Sequence, residues 1–382
     1  MSHRKRTRPT ILLLLVLLAG VLALAACGGD EEAEPAAPPA EPAEPAPAEP
    51  PAEEPPAEEP PAEEPPAEEP PAEEPAGEPA TIRVALDWFP NPDHVALYYA
   101  QENGFFEEQN LTVEFETPSD VTAGLTLVAT NEFDLSIFYE GDMFLTAAEE
   151  IPVIAVGSLI PTPLNSLISL ADSKVQGPED IKGATIGVAG LPFDDSILRT
   201  MIEQQGLAEG DVTDVNVGFD LVPALLTGTA DAVIGAYFNI EGIHIESETG
   251  EPPTIIKLEE LGVPHYDELV IVANSERLQS DAAYADAVTR FLAAVVAATE
   301  AAQADEAGSI EIMKANTEYT AEEIEAMVPD TLPLLTSPKG VPTGCFDLED
   351  WATFGQWLLD NEEIPAEVDP STIATNDYLP GC

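Results

Sequence analysis

Nine consecutive residues, Leu86-Asp87-Trp88-Phe89-Pro90-Asn91-Pro92-Asp93-His94, bring a carboxylate, an indole, an amide and an imidazole together. A carboxylate and an amide can read hydrogen bonds, and an indole offers a flat face to stack on. A short apolar stretch, 81–86, precedes them, and a helix-like segment, 94–109, follows. In open α/β sheets, ligands bind outside the carboxyl ends of the strands. This stretch is therefore expected to form the first wall of a small-molecule site. A second wall is expected at Tyr237-Phe238-Asn239-Ile240-Glu241-Gly242, delivered by the apolar run 232–236. Between the two, Tyr139 follows another apolar run, Asn165 and Ser166 offer an amide and a hydroxyl at a further strand end, and Asp194 opens a helix after Gly190.

Each of these residues also fits a purely structural role. Trp88 can close the core, and Asp87 can cap the helix that follows. His94 suits a helix start, Asn165 and Ser166 an ordinary polar turn, and Glu241 a capping or solvated carboxylate. Free amides at a helix start attract anions, but Asp194 and Asp195 already place negative charge there. A phosphate or sulfonate at that point is disfavoured. There is no P-loop lysine, so nucleotide hydrolysis is not suggested. The three cysteines, Cys27, Cys345 and Cys382, make no CxxC pair or Cys/His cluster, which argues against structural zinc.

The elements that must hold these side chains follow from hydrophobic periodicity. Residues 81–86 read as a strand, 94–109 as a helix broken at Gly104, and 111–116 as an alternating strand. Ser119 or Asp120 is placed to cap a helix running to 130. Strands at 133–138 and 151–158 follow. This β-α-β-α-β order predicts a mostly parallel sheet flanked by helices. A second series begins with a short helix at 177–183. It continues with a strand at 185–188, a helix at 197–205, a strand at 215–219, a helix at 220–227 stopped by Gly228, and a strand at 232–236. Residues 268–273 read as the strand that returns the chain to the first series. A long Ala-rich helix covers 284–304, and Thr320 with Glu323 makes a capping box. In a last helix at 347–360, Trp351, Phe354 and Trp357 are spaced as core.

With 382 residues the chain is long enough for two domains. Its net charge of −59, from 13 Lys+Arg against 72 Asp+Glu, excludes nucleic acid as a partner, because phosphate binding needs a basic face. Residues 3–8 are basic and 11–26 apolar, the pattern of a secretory signal. Leu24-Ala25-Ala26-Cys27-Gly28 resembles a bacterial lipobox, which implies cleavage before Cys27 and a lipid on its sulfur. The alternative is a membrane-spanning anchor, for which the apolar run is short against the roughly 20 residues a span needs. Residues 27–80 then form a tether of low complexity, with Pro-Ala-Glu-Glu-Pro repeated five times. At roughly 3.1 Å per residue in an extended polyproline form it reaches on the order of 150 Å. With Cys27 lipidated, Cys345 and Cys382 are left, and in an exported protein they are expected to form a disulfide that pins the C-terminus.

Taken together, several stretches resemble the bacterial solute-binding proteins of ABC importers that carry thiamine pyrimidine precursors, relatives of the yeast pyrimidine-synthase fold. The matching pieces are Leu86-Asp87-Trp88-Phe89-Pro90-Asn91 with His94, Pro163-Leu164-Asn165-Ser166-Leu167, Asp180-Ile181-Lys182-Gly183 and Val217-Gly218-Phe219-Asp220-Leu221. Residues 231–241, Gly262-Val263-Pro264-His265-Tyr266 and Thr375-Asn376-Asp377-Tyr378-Leu379-Pro380 complete the set. The resemblance implies an α/β, two-lobe periplasmic-binding-protein fold (type II) of mixed sheets with flanking helices, the second lobe inserted in the first. The expected boundaries are 81–173, 174–266 and 267–382. It further implies an extracytoplasmic, lipid-anchored monomer that serves an ABC permease, uses no cofactor and is not an enzyme. Phe89, Asn91-Pro92-Asp93-His94 and Glu140-Gly141 depart from the usual Thr-Pro-Asn-Thr-Asn-His and Gln-Pro, which leaves room for a shifted specificity.

The residues themselves suit a flat polar ring. Trp88 and Tyr237 are placed to stack on it. Glu241 or Asp87 would accept from an exocyclic amine and favour a protonated ring nitrogen, while Asn91, Asn165 and Ser166 complete the edge. His94, Tyr139 and Asp194 complete the expected ligand-binding set. The competing class is an enzyme: the yeast-type synthase has a working histidine where His94 stands, but also a cysteine-rich cluster that this chain lacks.

Overall fold

Two five-stranded sheets carry the strand ends singled out above. Ala80–Ala85 (β1) is followed by a tight turn in which the Asn91 side chain caps a single 3-10 turn, Pro92–His94. Proline at the first helical position suits that start. The chain then runs through Val95–Glu102 (α1) and Phe105–Glu108 (α2). Gly104 separates the two helices with φ +79°, a left-handed conformation that glycine adopts without strain. Leu111–Glu116 (β2) buries Leu111 and Val113 and exposes their neighbours, as its alternation requires. Gly124–Ala129 (α3), Leu135–Phe138 (β3), Glu140–Thr146 (α4) and Val153–Ile160 (β4) complete the first run. The expected cap at Ser119 or Asp120 does not form. Asp120 Oδ1 instead accepts from the backbone and hydroxyl of Thr122, closing a local turn, so α3 starts only at Gly124.

This computed structural model describes residues 77–149, 151–379 and 381–382. The signal segment, Cys27 and almost all of the repeat-rich tether lie outside the described residues.

The chain crosses to the second sheet at residues 161–164. Asn165–Ser169 (β5), read from sequence as a loop, is an interior strand of that sheet, paired antiparallel on both sides. Its start falls before the expected 173/174 boundary because Pro161-Thr162-Pro163 already ends β4. Thr185–Val188 (β6), Pro192–Gln204 (α5), Thr213–Asn216 (β7), Leu221–Leu226 (α6), Ala232–Tyr237 (β8), Glu241–Thr249 (α7) and Thr254–Lys257 (β9) follow. The sheet order is β7-β6-β8-β5-β9. Helix α5 begins five residues earlier than its apolar pattern suggested, because Pro192 supplies the first helical position.

Leu269–Asn274 (β10) returns to the first sheet, whose order is β2-β1-β3-β10-β4. Strands β1, β2 and β3 are parallel, and β10 runs antiparallel between β3 and β4. The insertion of one lobe into the other thus makes the first sheet mixed. Ser275–Ser280 (α8), Ala282–Ala304 (α9), Glu306–Asn316 (α10), Ala321–Thr331 (α11) and Leu348–Asp360 (α12) pack on the first lobe. The capping box of Thr320 with Glu323 forms, and Trp351 and Phe354 are buried. Cys345 and Cys382 are disulfide-bonded with Cα atoms 5.7 Å apart. One continuous apolar core links both sheets. A smaller one, with Ile168, Leu221, Leu225, Val233 and Ile245, lies under α6 and α7.

Candidate functional site

A narrow cleft opens where the strand ends of the two lobes meet. The first lobe contributes Asp87, Trp88, Asn91, Tyr139 and Asp142. The second contributes Asn165, Asp194, Tyr237 and Glu241, with Leu191, Phe193 and Gly235 between them. Glu268, just ahead of β10, closes the floor. Aromatic contact across the mouth joins Trp88 to Phe219 of the second lobe, with ring centroids 4.6 Å apart.

Eight of the ten ligand-site residues expected from sequence line this cleft. His94 does not. It is fully buried, and its Nε2 lies 2.8 Å from Asp87 Oδ1. Its Nδ1 accepts the Asn91 backbone N–H, so Nε2 carries the proton and donates to Asp87. His94 thus orients Asp87 from behind. Ser166 is likewise buried, with its hydroxyl donating to the Leu164 carbonyl at 3.0 Å. Successive strand residues face opposite sides, so Asn165 in β5 faces the cleft and Ser166 turns away. Five lining residues were missed in the sequence: Asp142, Leu191, Phe193, Gly235 and Glu268. Asp142 sits in the first turn of α4 and lines the cleft only because the lobes meet. Glu268 reads from sequence as the start of a buried strand. Only Gly235 left a trace, as a glycine inside an apolar strand, the usual mark of a close approach. Its φ is +95°, and a Cβ there would stand 2.8 Å from Asp194 Oδ2.

The polar groups are ordered by one another. Asp87 accepts from His94 on one oxygen and from the Tyr139 hydroxyl, at 3.2 Å, on the other. Asp194 accepts from Asn165 Nδ2 at 3.2 Å and from the Ala189 backbone at 3.3 Å. The Gly235 N–H donates to Asn165 Oδ1, which fixes the amide's orientation. Glu241 Oε2 accepts the Tyr237 N–H at 2.8 Å. Glu268 accepts from the backbones of Leu164 and Asn165, at 2.6 and 2.8 Å, and from the Tyr266 hydroxyl at 2.8 Å. The Tyr237 hydroxyl lies against Glu268 as well.

Among the described residues, five carboxyl groups therefore line the cleft, and no Lys, Arg or His does. Burial pushes the Asp194 and Glu241 carboxyls up to about 7. Burial raises Asp142 well above the carboxylate range, with the charge of Asp194 adding to it. Glu268 is raised by burial against the pull of its hydrogen bonds. Burial also raises the phenols of Tyr139 and Tyr237, so both remain protonated donors. Each amide and hydroxyl in the lining donates to or rests against a protein acceptor: Asn91 to the Phe89 carbonyl, Asn165 to Asp194, Tyr139 to Asp87, and Tyr237 at Glu268. The cleft is left rich in acceptors. It suits a flat molecule that brings its own donors or positive charge, and it repels anions.

Comparison with known proteins gives the family and the fold. A family model described as NMT1/THI5 like matches residues 91–308. A Haemophilus influenzae protein named for thiamine biosynthesis is 41% identical over 223 residues, 58% of this chain and 69% of that protein. The formylaminopyrimidine-binding protein of Halalkalibacterium halodurans is 33% identical over 283 residues, 73% of this chain and 84% of that one. The solved alkanesulfonate-binding protein SsuA from Xanthomonas axonopodis pv. citri, bound to MOPS, superposes with a TM-score of 0.62 over 78% of this chain and 99% of its own. At 15% identity that likeness concerns the fold, which is that of the periplasmic binding proteins. The chain belongs to the NMT1/THI5 like family.

Proposed function

We propose that this chain is an extracytoplasmic solute-binding lipoprotein of an ABC importer, which captures a 4-aminopyrimidine precursor of thiamine and delivers it to the permease. The observation that carries the reading is the acceptor-rich cleft, with the aromatic side chains of Trp88 and Tyr237 in its lining. An aminopyrimidine offers a flat face for stacking and an exocyclic amine for Asp87 or Glu241. A protonated ring nitrogen fits the same carboxyls. Asp87 is held by His94 and Tyr139, so it needs no rearrangement to accept. A ligand lacking the amine leaves a buried carboxyl unpartnered, which penalises it strongly.

The secretory signal and the tether favour a role outside the cytoplasm, at the membrane face, as does the similarity to a formylaminopyrimidine-binding protein. Sulfonate and nitrate would want a cation that the lining lacks. The synthase reading loses support on two counts. His94 is sealed behind Asp87, and a phosphate-bearing ligand would face five carboxyl groups with no cation among the described lining residues.

The test is a titration of the full chain, purified in detergent, followed by tryptophan fluorescence. The probes are the hydroxymethyl, formylaminomethyl and aminomethyl forms of 4-amino-2-methylpyrimidine, with riboflavin and taurine alongside. Saturable binding confined to pyrimidines is the expected result. A response to riboflavin or taurine, with none to any pyrimidine, would overturn the ligand assignment.

A further inference from the structure

The cleft holds more carboxyl groups than an aminopyrimidine ring can use. Asp87 and Glu241 are enough for the ring edge and its exocyclic amine. Of the remaining three, Glu268 and Asp194 are each tied to at least two protein donors. Asp142 is not. It is 1% exposed, and its Oδ1 accepts the Phe193 backbone N–H at 3.3 Å. Its Oδ2 is buried with no hydrogen-bond partner among the described residues. Leaving a buried polar atom unpaired is costly, and burial holds the Asp142 carboxyl well above its ordinary range; a cationic donor arriving from outside would let it ionise and give Oδ2 a partner. Among the described residues, the lining contains no Lys, Arg or His to supply one. The donor must arrive with the ligand.

Resting on the aminopyrimidine reading above, we propose that the preferred ligand carries a primary ammonium at the end of its 5-substituent, and that Asp142, with Asp194 beside it in the cleft, selects for it. An ammonium brings three donors and a compact charge, whereas a hydroxyl or a formamide brings one donor and no charge. Ligand and cleft then match in two places: the ring at Asp87 and Glu241, the ammonium at Asp142 and Asp194.

Asp142 has a structural role that the test must separate from this one. Leu191, at the start of α5, offers no side-chain cap, and Asp142 provides one across the lobes through the Phe193 N–H. Asparagine keeps an acceptor for that N–H but cannot ionise to pair with an ammonium. Calorimetric titration of the full chain at pH 7.5 with the aminomethyl, hydroxymethyl and formylaminomethyl 4-amino-2-methylpyrimidines decides the matter. The aminomethyl form is expected to bind roughly 10- to 100-fold tighter than the other two, the range of a hydrogen bond to a charged group. In Asp142→Asn that ratio is expected to fall at least about tenfold. Equal or weaker binding of the aminomethyl form by the unaltered chain would overturn this proposal and leave the aminopyrimidine reading standing. Failure of all three pyrimidines would overturn both. A ratio that survives Asp142→Asn undiminished would remove Asp142 as the selecting residue. The ligand series on the unaltered chain decides the ligand class even where the variant does not fold.

Discussion

Glu241 shows how one carboxyl is prepared for a ligand. Its Oε2 is held by the Tyr237 N–H, and burial raises its proton affinity so that it can share a proton with a ring nitrogen near neutrality. Glu241→Ala is expected to weaken aminopyrimidine binding by about tenfold or more, the worth of a charge-assisted hydrogen bond, as read by calorimetry. Unchanged affinity would assign the ring edge to Asp87 alone. Gly235 makes a second, steric case. Any side chain there meets Asp194 and a backbone φ of +95° together. Gly235→Ala is expected to cost about 1–3 kcal/mol of stability and to abolish binding, as read by thermal unfolding and titration. Residues at this scale divide by how locally they are specified. Asp87, Trp88 and Asn91 announced themselves through their strand-to-helix turn. His94 shares that turn but points inward, held by the Asn91 N–H. Asp142 and Glu268 owe their place to contacts about 50 and 100 residues away along the chain, with Phe193 and Leu164. No local pattern marks them.

Among the elements, those with a strong period or cap were legible. Strand β2 has the predicted bounds, Leu111–Glu116, because its alternation matches a half-buried edge strand. The capping box before α11 formed at Thr320 and Glu323. Strand β5 was missed because Pro161-Thr162-Pro163 and Asn165-Ser166 have the composition of a turn, while its identity as a strand comes from partners in β8 and β9. That strand brings Asn165 to the cleft. The C-terminal segment is secured from two sides. The Asn376 side chain accepts from the Phe346 N–H and donates to the Phe346 carbonyl, at 2.9 and 3.1 Å. The Cys345–Cys382 disulfide closes a 37-residue separation around it. Cys382→Ser is expected to cost about 3–4 kcal/mol by releasing that loop, measured by denaturant unfolding under non-reducing conditions. A midpoint equal to that of the unaltered chain would show that the Asn376 clamp suffices alone.

At the scale of the whole molecule, a strongly acidic chain carries several carboxyl groups that its fold buries. Asp194, Glu241 and Asp267 have carboxyls pushed up to about 7 by burial, against about 4 in an unfolded chain. Between those values the folded chain keeps protons that the unfolded chain has released. The stability these groups contribute is complete below about pH 4 and is lost as pH rises through 7. The unliganded protein is therefore expected to melt at least roughly 5 °C lower at pH 8 than at pH 5.5, as read by calorimetry. A melting temperature that rises over this interval would contradict the buried-acid account. Ligand binding works against the loss. A cationic ligand at one hundred times its Kd adds about 2.7 kcal/mol and neutralises charge in the cleft between the lobes. The central claim, that this cleft takes an aminopyrimidine, is tested most directly by a crystal structure of the chain with the aminomethyl pyrimidine. The account predicts a ring against Trp88 and Tyr237, its exocyclic amine at Asp87 or Glu241 and its ammonium within hydrogen-bond distance of Asp142. A ring bound elsewhere on the molecule, or the cleft filled with the amine turned away from both ring-edge carboxyls, would contradict it.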